Sequence, residues 1–166
     1  NTRTTGLGQK PKNYIQNFLL PVSNSLTTLK KSEAAEYTIL FEQIRAVTEF
    51  SSMKFTYKDY DKRTLHIISD FMQNSKKFNF YKQCNWGGKC QNFKSLYNSN
   101  EDIKDYFDDI RPLLDENSEI YLYHILIDDR PQKIRKKLEK LWTEYFVWAG
   151  VPESQVHYRR IADFEG

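Results

Sequence analysis

Residues 119–127, Glu-Ile-Tyr-Leu-Tyr-His-Ile-Leu-Ile, are largely apolar on both alternating faces. Ile120, Leu122 and Leu126 fall on one face, and Tyr121, Tyr123, Ile125 and Ile127 on the other. A strand of that kind belongs in the middle of a sheet covered on two sides. Asp128 and Asp129 then precede Pro131, which suits the first turn of a helix because its missing N–H is not needed there. Ile134, Leu138, Leu141, Tyr145 and Trp148 follow at helical spacing, widened by Trp142 and Phe146. Gly150 closes that helix and Pro152 prevents its restart, after which residues 155–161 read as a strand. The predicted fold class is α+β, a mixed sheet with helices packed on it.

Working upstream, Asn100 is a good N-cap, and Glu101 and Asp102 are well placed against the helix dipole. Ile103, Tyr106, Phe107 and Ile110 make an amphipathic face that Pro112 ends. Residues 76–99 alternate aromatics with lysines and asparagines, and are expected to form two strands joined by a cysteine loop. Leu65, Ile68 and Met72, with Ile67 and Phe71 beside them, predict a short helix, and residues 54–58 a half-buried strand. Ser25 is expected to cap a helix carrying Leu26, Leu29, Tyr37, Leu40, Phe41, Ile44 and Val47 on one stripe and ending near Phe50. The organisation is therefore an irregular arm or linker at 1–23, a helical region at 24–75 and an α+β part at 76–166.

The 166-residue chain carries 25 Lys+Arg against 22 Asp+Glu, a net charge of only +3. Hydrophobic residues make up 39%, but eleven Phe, eleven Tyr and three Trp supply much of the burial. Each such ring hides roughly 150–250 Å² when packed, which makes a core feasible and argues against global disorder. No apolar run approaches the ~20 residues of a membrane-spanning helix. The chain opens at Asn1 without Met, and is expected to be a processed or trimmed protein.

Few residues announce chemistry. Cys84 and Cys90 enclose Asn85-Trp86-Gly87-Gly88-Lys89, a loop short enough to bring the sulfurs into bonding range. The pair reads as a disulfide first, as two free thiols second, and as part of a metal site last, because only three scattered histidines are present. A disulfide implies an oxidising compartment. Trp86, at the loop tip, is either an exposed contact residue or a ring folded back over the sulfurs.

His124 reads as a satisfied core histidine, and His157 as facing solvent or a partner. The acidic cluster Glu101, Asp102, Asp105, Asp108 and Asp109 reads as a solvated helix surface. Lys133, Arg135, Lys136, Lys137 and Lys140, with Arg159 and Arg160, form a basic cluster that is either solvated or a phosphate contact. No phosphate loop, nucleophile motif or His-x-x-x-His pair is present. No catalytic residue, cofactor or metal is expected.

Tyr145, Phe146, Gly150, Val151, Pro152, Val156 and Arg159 resemble the end of the C-terminal OmpA-like, peptidoglycan-associated domain family, over roughly the last 75 residues. The resemblance implies a βαβαβ arrangement. It also implies an Asp and an Arg that grip peptidoglycan, but Leu138 stands at the Arg position, Pro131 at the Asn position and Ile134-Arg135 at the Leu-Ser pair. A ligand carboxylate needs a cationic partner, so peptidoglycan binding is expected to be lost.

The expected function is a non-catalytic periplasmic scaffold or accessory subunit of a bacterial envelope assembly, such as a secretion-system core complex. It is expected to be associated with the outer membrane, with any lipid anchor lying outside the chain. Its partners are then envelope proteins, contacted through Trp86, Lys133, Lys137, Arg159 and Arg160. The alternative is a cytosolic basic nucleic-acid-binding module, which reduced cysteines would favour.

Overall fold

The computed structural model describes residues 38–50, 61–125 and 132–160. One helix, α1 (Leu40–Phe50), precedes a sheet of three strands, β1 (Arg63–Ser69), β2 (Ser118–His124) and β3 (Val156–Arg160). The strands run parallel in the order β1-β2-β3, with Arg63 opposite Ser118 and Ile120 opposite Val156. β2 is central, as its two apolar faces require. Parallel neighbours need long crossovers. Helices α2 (Phe80–Gln83), α3 (Phe93–Tyr97) and α4 (Glu101–Asp109) lie between β1 and β2, and α5 (Gln132–Ala149) between β2 and β3.

One aromatic core joins the helices to the inward face of the sheet. Phe41 of α1 stacks on Trp142 of α5 at 4.4 Å and meets Phe107 of α4 edge-on at 5.0 Å. Phe93 of α3 adds to it through Tyr145, at 5.4 Å. Ile67, Ile120 and Leu122 supply the sheet's share of the same cluster. The core thus runs across residue 76, with Phe41 touching Phe78 and Phe80.

Polar side chains fix the ends of these elements. Asn79, Asn92 and Asn100 each accept a backbone N–H in the first turn of the helix they precede. Fully buried Gln73 accepts from the Phe41 N–H at 3.1 Å and donates to Glu42 at 2.8 Å, satisfying the start of α1. Gly150, at φ 115°, ends α5. Its N–H reaches the Val147 carbonyl and the Val151 N–H that of Phe146, the paired bonds of a Schellman cap. A Cβ on Gly150 would sit 3.1 Å from the Leu114 carbonyl oxygen, so the site excludes a side chain twice over.

The structure corrects the sequence reading in four places. Residues 63–69 form a strand and not the helix expected over 65–72, because parallel pairing with β2 rewards the alternation of Leu65 and Ile67 against Thr64, His66 and Ile68. Residues 80–83 and 93–97 are short helices and not strands, since Asn79 and Asn92 act as caps. Among the described residues the sheet is parallel and not mixed. Val47, placed on the buried stripe of the first helix, is exposed. The strand expected at 54–58 and the helix from Ser25 to residue 37 lie outside the described residues, as does Pro131.

Candidate interaction surfaces

Alternation along three parallel strands puts Thr64, His66, Ile68, Glu119, Tyr121, Tyr123, His157 and Arg159 on the face opposite the helices. Register sorts them into rungs, with His66 opposite Tyr121 and Tyr121 opposite His157. Adjacent strands lie about 4.8 Å apart, which matches the separation of stacked rings. Accordingly His66 lies parallel to Tyr121 at 4.9 Å and 7°, and His157 covers the other side of Tyr121 at 4.6 Å and 31°. The next rung is Ile68, Tyr123 and Arg159. His66 Nδ1 reaches the Tyr123 hydroxyl at 3.2 Å, binding the two rungs together.

Below the ring stack, Glu119 receives Lys62 Nζ at 2.6 Å and His157 Nε2 at 3.1 Å. The Lys62 hydrogen bond, opposed by desolvation and helped by His157, holds the Glu119 carboxyl below the usual carboxylate range. The same contact raises the Lys62 ammonium. Because imidazoles cover both sides of Tyr121, the rung turns ring edges and polar atoms outward rather than a free aromatic plane. Ile68 stays 37% exposed beside it, and Arg159 is exposed.

The cysteine loop is the second surface. Cys84 and Cys90 are joined in a disulfide, one of the alternatives read from their spacing. Trp86 is folded back and half-buried, with its ring edge-on to Phe80 at 5.6 Å. Its carbonyl accepts from Lys137 Nζ, so two residues singled out separately in the sequence meet here.

The remaining basic residues do not converge. Lys133, Lys136 and Lys140 are exposed along α5, and Lys140 pairs with Glu144 at 3.8 Å. Arg159 sits with the ring stack instead, and the Arg160 side chain lies outside the described residues. His124 is buried, bonded through Nδ1 to the Tyr158 hydroxyl and edge-on to Phe71. The acidic residues of α4 are exposed, and Asp108 accepts from the Tyr97 hydroxyl at 2.7 Å. Among the described residues no cluster of three His, Cys, Asp or Glu is placed to hold a metal ion, and no helix is long and apolar enough to cross a membrane.

Sequence reasoning missed His66 and Tyr121 as site residues. The signal for His66 was the period-two alternation of 63–69, hidden by the helical spacing of Leu65, Ile68 and Met72. Tyr121 falls on one face of its strand, but nothing in that strand alone marks it as a site. No family model, curated protein or solved structure matches the chain.

Proposed function

We propose that the chain is a non-catalytic docking module whose protein partner seats on the ring-bearing face of the sheet. The observation that carries this reading is the His66–Tyr121–His157 rung flanked by exposed Ile68 and Arg159. Parallel sheets ordinarily have both faces covered, and among the described residues no helix belongs to this one. Aromatic rings and arginine are the residue types that protein interfaces favour.

The compartment proposed is the periplasm, in an outer-membrane-associated assembly such as a secretion-system core complex. The Cys84–Cys90 disulfide supports an oxidising location. The finer assignment, a degenerate OmpA-like βαβαβ domain, draws support from the chain order of β1, helices, β2, α5 and β3. Buried Tyr145 and Phe146 and the Gly150-Val151 helix end also fit it. Leu138, at the family's cell-wall arginine position, is fully buried, which supports a reading in which the partners are proteins and not peptidoglycan.

Hydroxyl-radical footprinting tests the reading, comparing the purified chain with the chain in intact envelopes. The reading expects protection of His66, Tyr121 and Tyr123 in the envelope and unchanged labelling of exposed Tyr81. Equal labelling of the sheet residues in both states overturns the docking face. Salt-sensitive binding of single-stranded nucleic acid that is lost on changing Lys133 and Lys136 overturns it in favour of the cytosolic alternative.

A further inference from the structure

The loop between Cys84 and Cys90 joins two parts of the core that are far apart in sequence. At its start, Cys84 caps α2, whose Phe80 is fully buried against Phe41 and Phe78. At its tip, the Trp86 ring rests on Phe80 while the Trp86 carbonyl holds the Lys137 ammonium of α5. Within the loop, Gly87 N–H reaches Asn85 Oδ1 at 2.9 Å, and the Gly88 and Cys90 N–H groups share the Asn85 carbonyl. Asn85 and Gly87 are exposed, and hydrogen bonds that compete with water contribute little net stability. The indole is therefore held by its packing on the core together with the covalent bond that closes the loop beneath it.

The two sulfurs are not equivalent. Cys90 is fully buried in the core cluster, whereas Cys84 is only half-buried. Thiol exchange requires access to the sulfur under attack, so the more exposed Cys84 is the side of the bond that favours attack, with Cys90 as the leaving thiolate.

We propose that this loop is a redox-operated latch: reduction of the Cys84–Cys90 bond by a dithiol lifts Trp86 off Phe80 and releases Lys137 from the Trp86 carbonyl. The dithiol's thiolate attacks Cys84 Sγ, the S–S bond breaks, and Cys90 leaves as a thiolate that takes up a proton. The second thiol of the reductant then resolves the mixed disulfide and releases Cys84 as a thiol. Two electrons and two protons pass to the protein, and the dithiol becomes a disulfide. The released Lys137 lies on the helix that already exposes Lys133, Lys136 and Lys140, so opening adds an aromatic ring beside a basic stripe. This device is independent of the ring-bearing sheet face.

The test isolates Trp86 emission as the difference between the wild-type chain and W86F, before and after dithiothreitol, with far-UV circular dichroism as the check on folding. The expected result is a red shift and a clear rise in acrylamide quenching of the Trp86 signal on reduction, with helix content unchanged and reversal on reoxidation. The Cys84→Ser/Cys90→Ser variant is expected to show the open signal without reductant. Lys137→Met is expected to keep the indole stowed while the disulfide is intact. In the reduced chain Cys84 is expected to alkylate about tenfold faster than Cys90, following exposure. A Trp86 signal unchanged by reduction makes the disulfide a static brace and overturns the latch. Loss of helix content on reduction overturns it too, since the bond would then support the whole fold.

Discussion

The indole Nε1 of Trp142 donates to the carbonyl of Phe71 at 3.0 Å, tying the middle of α5 to the turn where the chain leaves β1. Phe71 needs such a tie because its φ is 58°, in the left-handed region that side chains other than glycine rarely enter. Ser69 Oγ accepts from the Phe71 N–H and Asp70 Oδ1 from the Met72 N–H, which holds the turn from both sides. The ring lies in the core, edge-on to His124.

Trp142→Phe keeps an aromatic ring against Phe41 but leaves the buried Phe71 carbonyl without this donor. An unsatisfied buried group costs about 1–3 kcal/mol. Urea unfolding should show a lower midpoint of corresponding size, and no change would mean that the indole bond is immaterial to the turn.

Tyr145 predicts the opposite sign. Its hydroxyl is buried and meets no hydrogen-bond partner among the described residues, and burial pushes its phenol well above the usual range. Tyr145→Phe removes that unpaired group and keeps the ring, so stability should hold or rise by up to about 1 kcal/mol in thermal unfolding.

Acid should weaken the entry to β1. Burial raises the Asp115 carboxyl, but hydrogen bonds from Arg63, the Asn117 N–H and Ser118 outweigh it and leave the group below its ordinary value. A carboxyl with a lowered folded value contributes stability above its unfolded value, about pH 4, and loses it as pH falls through the folded one. Asp115→Asn should therefore flatten the acid side of the stability profile while lowering stability at pH 7. An acid limb identical to wild type would remove Asp115 from the account.

Leu138→Arg introduces the cation that the proposed resemblance to OmpA-like domains would place here, yet Leu138 is fully buried in the core. The variant should lose more than about 4 kcal/mol by burying an unpaired charge, and should not sediment with peptidoglycan. Sedimentation of a folded variant would show that this position faces outward.

Much of the architecture is legible in the residues themselves. The dense apolar pattern of β2, the Asn100 cap of α4 and the Gly150 stop of α5 each declare an element locally, and each appears in the structure. What fails is local spacing decided by partners. Leu65, Ile68 and Met72 fit a helical stripe, but pairing with β2 makes Ile67 the buried residue and leaves Ile68 outside. The ring stack needs the register of three strands, and no single segment contains it. Trp86 and Lys137 meet across 51 residues, a contact that chain spacing does not encode. His157 and Arg159 are legible on one face because alternation in β3 suffices.

The central claim is that the ring-bearing face is where a protein docks, and site-specific photo-crosslinking in intact cells tests it most directly. A photoreactive side chain at Ile68, exposed beside Tyr123 and Arg159, is compared with one at exposed Asp105 on α4. The account predicts a discrete protein adduct in the envelope fraction from position 68, absent at 105 and lost when Arg159→Glu is added. Adducts of equal yield from both positions, or an adduct at 68 that survives Arg159→Glu, would contradict it.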